Sequence, residues 1–518
     1  MEVTHVRRKF PPRRWLTPAV AAFLLAGCAQ HPTGVAAPPP LGEASSASGS
    51  AQHLVLFVTA DLQGQLLPCG CSAGMRGGLG RAAALVARAR ADGLPTLYLD
   101  AGDALFERSG LEADEAVEEE RKAKAVAEAL LRMGLQGRAV GPLDDVQGTD
   151  FRRSLGLPEF PLGSARVLRV GGHALGVVVA KNAAELQTGA ARARAEGAEF
   201  VLALYGGSLD NAVRDVRGLA GVDLLVSAQD APVVTLDDES RLVRAEVPVA
   251  RVQSRGRAVL RVDLVFGGSG RLRLFTSPED VEREAATLDE RIRLLKKELA
   301  LPGQNAERRQ LLTERLRALV EKRAALAPAP PLAGANGFTV RLVPLETTLP
   351  SDPAVDAVVA SFDAEVSELN LAFARAHGRD CAAAAPGEAA YVGNAACAGC
   401  HAKAFAVYDT TGHARAYREL ERVHKQYRLE CISCHVVGIQ QPGGVCRVDR
   451  VTGRDAVGCE NCHGPGSLHA AHPTGQPLAR PAPTRAVCVG CHTAENSPQF
   501  DYSVYLPRVL GPGHGAKR

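Results

Sequence analysis

The chain has 518 residues, 46% hydrophobic and 23% charged, with a formal net charge of +3. That is room for two or three domains, an ordinary composition for a soluble globular protein, and too little charge to argue for nucleic acid or an acidic membrane surface as partner. Thirteen cysteines are unusual in a reducing cytosol unless they hold cofactors, and ten of them lie after residue 380.

At the N-terminus, Arg7, Arg8, Lys9, Arg13 and Arg14 precede the apolar run Ala19–Ala26. This is a charged region followed by a stretch too short to remain in a bilayer as a spanning helix. The run ends Leu25-Ala26-Gly27-Cys28. An ordinary signal peptide with an incidental cysteine is one reading. The ending is also similar to the lipobox of bacterial lipoproteins. That resemblance implies residues 1–28 as a lipoprotein signal peptide and lipidation of Cys28. It also implies a lipid-anchored place on the periplasmic face of a membrane, the outer rather than the inner one because Ala29 is not Asp. Residues 29–51, rich in Pro, Ala, Ser and Gly, read as a flexible tether.

Ordered pattern begins with the buried-strand run HLVLFVTAD at His53. A helix (ALVARARADGLP), a strand (TLYLDAGDALF) and a second helix ending at Gly134 follow, then strands at 174–180, 200–207, 222–228 and 257–266. This alternation predicts a layered α/β domain over 52–276. Ser277-Pro278-Glu279-Asp280 starts a helix, with a cap residue, proline at the first position and acids in the first turn. Leu288, Ile292, Leu295 and Leu299, then Leu312, Leu316 and Leu319 after a Pro302-Gly303 break, predict a helical hairpin over 277–328. It is either a partner-binding arm or a charged spacer packed on its own seam. A strand and a helix over 337–378 close the first domain, between linkers at 327–336 and 381–390.

The C-terminal part, 390–510, carries Cys-x-x-Cys-His four times: Cys397/Cys400/His401, Cys431/Cys434/His435, Cys459/Cys462/His463 and Cys488/Cys491/His492. Paired Cys-x-x-Cys units can bind zinc, and a lone one can be a redox dithiol. Neither needs a histidine directly after every pair. Four c-type haems do, each bonded through two thiols and ligated by the next imidazole. The segment is mostly short helices and irregular chain with few apolar runs, so porphyrins would form much of its core. Each iron takes a second ligand or keeps an open position.

YVGNAACAGCHAKAFAVYDTTGHARAY and GCENCHGPGSLHAAHP resemble the tetrahaem cytochrome c-554 family over about residues 390–495. The resemblance implies that fold with closely stacked haems. It implies His413 and His469 as distal ligands, each to a haem other than its own, with His424 as a third. One five-coordinate haem is compatible with it. His472 and His514 read as surface residues, with iron ligation as the alternative for either. Electron relay between redox partner proteins is the expected function, with reduction of a small nitrogen oxide at an open haem as the alternative. Cys381 and Cys446, outside every motif, can form a disulfide fastening the second linker to the haem segment.

The first domain carries LFVTADLQGQL, then GGLGRAAALVARAR and TLYLDAGDALF. These are similar to the start of the 5′-nucleotidase branch of the calcineurin-like metallophosphoesterases. That family implies a β-sandwich flanked by helices with two metals at strand ends, clamping phosphate and activating water. Its Asp-x-His reads Asp61-Leu62-Gln63 here. Its Gly-Asp survives as Gly102-Asp103, and its Gly-Asn-His-Glu reads Gly141-Pro142-Leu143-Asp144. Its late Gly-His-x-His is replaced by VSAQDAP at 226–232. Asp61 and Asp103 without imidazoles would hold a borderline metal poorly. The expectation is a retained fold with a lost dinuclear site; an active nucleotidase or phosphatase with a redox appendage is the alternative. Close after Asp61, Cys69-Gly70-Cys71 is a possible redox or metal pair, or two inert thiols in a turn.

Overall fold

The computed structural model describes residues 52–69, 75–111, 113–228, 241–276, 278–300, 306–326, 336–493, 496–497, 500–511 and 514. The signal and tether readings, Cys28 and Cys71 lie outside them, as does much of VSAQDAP; of Cys69 the backbone alone is described. All described residues belong to one compact unit.

The strand Gln52–Thr59 is apolar on both faces, and the fold uses both. Leu54, Leu56 and Val58 point into one core, Val55 and Phe57 into another. It is central in a six-stranded sheet ordered Arg273–Phe275, Gly337–Pro344, Ala258–Phe266, Gln52–Thr59, Thr96–Asp100, Gly137–Arg138. A second six-stranded sheet runs Arg241–Val243, Val249–Arg251, Leu224–Ser227, Phe200–Tyr205, His173–Ala180, Ala165–Val170. Leu54, Leu99, Leu260 and Phe338 of the first sheet meet Leu175, Val177, Leu202 and Val226 of the second in a shared core. The sheets therefore pack face to face.

The outer faces are covered by helices. Leu79–Ala91, Ala113–Arg132 and Pro353–His377 supply Val86, Val126, Leu130, Val355 and Phe362 against the first sheet. Ala183–Ala195 and Leu209–Asp215 supply Leu186, Ala190 and Ala212 against the second. The result is the expected sandwich flanked by helices. Boundaries follow local chemistry. Leu79–Ala91 stops where Gly93 takes φ 76° and Leu94 N–H turns back to Ala89 O. Pro353–His377 starts at Asp352, whose carboxylate accepts Ala354 N–H (2.9 Å) and Val355 N–H (3.1 Å).

The hairpin is two helices, Pro278–Leu299 and Ala306–Ala324, sealed by buried Leu288 and Leu312 and by the ion pairs Arg323–Asp289 (3.0 Å) and Lys322–Glu284 (2.8 Å). Leu294, Leu311 and Val320 stay exposed.

The C-terminal part is a run of short helices whose buried apolar cluster is small: Ala374, Tyr417, Ile432, Val436, Val445 and Val448. Ala374 belongs to Pro353–His377, whose N-terminal two-thirds lies in the first domain's core. One helix thus serves both cores. Just beyond it, Cys381 and Cys446 form a disulfide.

Candidate functional site

The four motifs share one local geometry. On a helical turn, residues i, i+3 and i+4 lie on one face. Cys-x-x-Cys-His therefore presents two thiols and an imidazole together. The turn is closed by His401 N–H to Cys397 O (2.9 Å) and His492 N–H to Cys488 O (2.8 Å), and it forms the helices Leu429–His435 and Cys459–His463. None of the eight motif cysteines is in a disulfide; Cys400 is exposed and the rest are half-buried.

The motifs interlock. The Cys397 and Cys459 thiols hydrogen-bond each other, which pulls Cys397 down and pushes Cys459 up. Cys491 does the same for Cys434, lowering it to about 6. The first motif thus abuts the third, and the second abuts the fourth. Burial raises Cys431 to about 12.

Two motif histidines each face a histidine from outside the motifs. The His401 and His469 ring centres are 6.2 Å apart, and those of His413 and His492 are 6.1 Å apart. Two imidazoles sharing one iron from opposite sides, each bonded at about 2 Å, place their ring centres about 6 Å apart. Both pairs fit that geometry. The ring nitrogens are also sorted. Nδ1 of His435 is 2.7 Å from Ala416 O, that of His463 is 2.9 Å from Arg480 O, and that of His469 is 2.7 Å from Gln476 O. A carbonyl can only accept, so these Nδ1 atoms carry the proton and each Nε2 keeps its lone pair. His492 Nδ1 meets Ser497 Oγ at 2.9 Å, and its ring stacks on Phe500. Burial lowers the pKa of His413 and His492, which favours the neutral imidazole.

His514, read from sequence as a surface residue, lies close enough to His463 and His401 for their charges to add to burial in lowering its pKa. His424 is exposed, with φ 57°, and its carbonyl accepts from Ser367 Oγ at 3.2 Å. Among the described residues it meets no other imidazole, and neither does exposed His472. No second imidazole among them makes ring contact with His435.

A residue outside the motifs' ligand positions ties the cluster together. Glu460 is 1% exposed, and its carboxylate accepts Val392, Gly393 and Gly466 N–H at 2.7–3.1 Å. It clamps the approach to the first motif against the third. Asn394 adds a second tie, accepting Cys459 N–H at 2.9 Å and donating to Tyr408 Oη at 2.8 Å. A lone Glu inside Cys-Glu-Asn-Cys-His gives no sequence signal of this role.

In the first domain, Asp61 and Asp103 sit at the ends of neighbouring parallel strands with φ 48° and 54°. The carboxylates around them are engaged in structure. Asp103 Oδ1 accepts Leu143 N–H at 2.7 Å. Asp144 accepts four backbone N–H groups, from Asp103, Ala104, Leu105 and Gly141, at 2.8–3.1 Å. Fully buried Arg138 pairs with Asp144, 3.8 Å from Asp100 and 3.6 Å from Glu159. A buried guanidinium thus supplies positive charge beside Asp100 and Asp144. A side chain on Gly141 would meet Asp103 Oδ1 at 2.1 Å. Among the described residues no group of three or more His, Cys, Asp and Glu is placed to hold a metal ion. The domain's histidines are engaged elsewhere: His53 with Asp263 (3.0 Å), His173 with Glu199 (2.9 Å) and stacked on Phe266, His377 against Phe373.

Comparison with known proteins gives two sets of likenesses. Residues 396–464 match the family described as cytochrome c554 and c-prime. Cytochrome c-554 of Nitrosomonas europaea is 32% identical over 109 residues, 18% of this chain and 45% of that protein. The chain thus spans less than half the length of that relative. Among solved structures, a 5′-nucleotidase precursor of Thermus thermophilus covers 61% of this chain and 59% of its own at 14% identity and TM-score 0.38. The sulfate thiohydrolase SoxB of the same organism, in complex with glycerol, covers 63% of each chain at 17% identity and TM-score 0.39. The calcineurin-like phosphoesterase YfkN of Bacillus subtilis covers 61% of this chain and 98% of its own at 11% identity and TM-score 0.37. The C-terminal segment resembles c-554-type multihaem cytochromes, and its motif chemistry is that of c-type haem attachment.

Proposed function

We propose that this protein is an exported, lipid-anchored cytochrome that relays electrons through four c-type haems, on a phosphoesterase-like domain without its dinuclear metal site. The observation that carries it is two pairs of facing imidazoles, each a motif histidine with one from outside the motifs, His401 with His469 and His413 with His492. Cys397/Cys400, Cys431/Cys434, Cys459/Cys462 and Cys488/Cys491 hold the porphyrins, with His401, His435, His463 and His492 as proximal ligands. His469 serves the first haem and His413 the fourth. Haem iron between two imidazoles supplies one-electron exchange without substrate binding. The chain's own part is orientation: carbonyls at Nδ1 fix the rings and turn Nε2 toward the metal. Donor and acceptor are redox partner proteins. Anchoring at Cys28 would place the domain at the periplasmic face of the outer membrane; among the described residues no helix is long and apolar enough to cross a bilayer.

The test is a pyridine haemochrome count and mass spectrometry of the full chain, matured in a host competent for cytochrome c. The expected result is four haems per chain and an acylated Cys28. A colourless or zinc-loaded protein refutes the proposal. A second reading rests on His435, which makes ring contact with no other imidazole among the described residues; His413, near enough to feel its charge, faces His492 instead. An open iron there would admit a small nitrogen oxide, and a ligand-responsive high-spin ferric band is its signature. The hydrolase reading requires bound metal and turnover of a phosphate ester; the engaged carboxylates of Asp103 and Asp144 argue against both.

A further inference from the structure

A buried cluster of charges joins the first domain to the start of the second haem-attachment helix. Arg428 is 3% exposed. Its Nε donates to Glu118 Oε1 (2.8 Å), its Nη1 to Asp363 Oδ1 (2.5 Å) and its Nη2 to Glu430. Glu118 and Asp363 belong to the first domain's helices Ala113–Arg132 and Pro353–His377. The guanidinium also lies over the Phe362 ring, 4.7 Å from its centre. Glu118 Oε2 accepts Leu429 N–H (3.2 Å) and Asn370 Nδ2 (2.5 Å), and Asn370 Nδ2 also reaches Tyr427 O (2.8 Å). Buried Lys122 spans from Glu119 (2.6 Å) to Glu430 (3.4 Å).

The backbone of the same arginine opens the attachment helix. Arg428 O accepts N–H from Cys431 (3.1 Å) and Ile432 (2.9 Å). One residue is therefore held at its side chain by the first domain and at its carbonyl by the helix carrying Cys431, Cys434 and His435. A buried guanidinium with three carboxylate partners has its direction fixed, and removing one partner leaves charge uncompensated.

We infer that Arg428 is a positioning residue for the second haem, and that the first domain, through Glu118 and Asp363, sets both the placement and the charge environment of that haem. The inference rests on the haem reading above. It gives the first domain a role as electrostatic seat for one redox centre. Glu118, Glu119, Asp363 and Glu430 face Arg428, Lys122 and Lys425, an excess of one negative charge beside the second motif. Negative charge near a haem favours its ferric form, so removing one carboxylate raises that haem's midpoint potential.

The experiment uses the full chain matured in a cytochrome-competent host, as wild type, Glu118→Gln, Glu430→Gln and the exposed control Arg422→Ala. Haem content is counted, and the four midpoints are resolved by spectroelectrochemistry. Glu430, at the rim of the cluster, gives a variant that does not depend on deep burial. The expected result is four haems in every protein, with one midpoint raised in both Gln variants and the other three unmoved. The oxidised-to-reduced ratio of that haem at fixed potential should change by about three- to tenfold, which is about 30 to 60 mV for one electron. Four haems with all midpoints as in wild type overturns this inference alone, as does an equal shift of all four. A wild type without haem overturns the reading beneath it.

Discussion

Removing the Cys381–Cys446 disulfide by double substitution to Ser should destabilise the haem domain by about 3–4 kcal/mol. The bridge spans 65 residues. The chain-entropy relation for a loop of that length gives about 14 cal/mol/K, or about 4 kcal/mol at 25 °C. The closed loop contains the first two attachment motifs. The contacts around it cannot replace it: Arg450–Asp380 is an exposed pair at 2.9 Å, and Arg447 Nη1 to Gly378 O is 3.2 Å. An exposed pair is worth under about 1 kcal/mol. The assay is urea denaturation of the haem-loaded protein followed at the Soret band, with both proteins analysed at a common slope. A loss under about 1 kcal/mol would refute the reasoning. It would mean that haem crosslinks already restrict the unfolded chain enough to make the bridge redundant.

His469→Gly and His413→Gly should each convert one low-spin haem to high spin without loss of attached haem, and added imidazole should restore the low-spin spectrum; electron paramagnetic resonance reads both. Glu460→Ala removes the acceptor of three backbone N–H groups at 2.7–3.1 Å and should cost about 3–5 kcal/mol, seen as a lower melting temperature and a lower yield of fully loaded protein. Burial raises Asp100 to about 7. Because that lies above the unfolded value near 3.9, its contribution is fully present below about pH 4 and is lost as pH rises through 7. Wild-type stability should fall by up to about 4 kcal/mol across that window, whereas Asp100→Asn should lack this slope in melting curves taken from pH 4 to 8.

What the sequence disclosed, and what it withheld, divides by range. The haem motifs are local, because one helical turn already aligns two thiols and an imidazole. Strands buried on both faces, such as Gln52–Thr59 and Phe200–Tyr205, announce themselves as apolar runs. The three-residue strands Arg241–Val243, Val249–Arg251 and Arg273–Phe275 are too short to carry a period, and Ala165–Val170 is an edge strand with polar positions. The facing of His413 with His492 is a long-range fact: family likeness implies a distal role for His413, and only the fold supplies its partner. Nothing local marks His514 as a neighbour of His463, or Glu118 as the partner of an arginine 310 residues away. The absence of histidine at Gln63 and Leu143 was legible, but the use of Asp144 as an acceptor for four backbone N–H groups required the fold.

The linker read at 381–390 gives the last test, because composition and structure disagree about what it separates. A Pro- and Ala-rich stretch with exposed residues suggests domains that move independently. Yet Pro353–His377 places Phe362 in one core and Ala374 in the other. Arg428 is gripped by Glu118 and Asp363, and Ser367 and Asn370 reach the backbone at His424 and Tyr427. Charge-assisted hydrogen bonds of this kind are worth about 1.5–3 kcal/mol each. Two of them with the neutral bonds therefore supply several kcal/mol, against an interface that need not be assembled from separate molecules in the uncut chain. A protease site placed between residues 383 and 388 should accordingly be cut without releasing the haem fragment, and this should hold after the Cys381–Cys446 bridge is removed by substitution. Size-exclusion chromatography with detection at the Soret band decides it. If the haem fragment elutes alone at micromolar concentration once the bridge is gone, the buried charge cluster is not what joins the two domains.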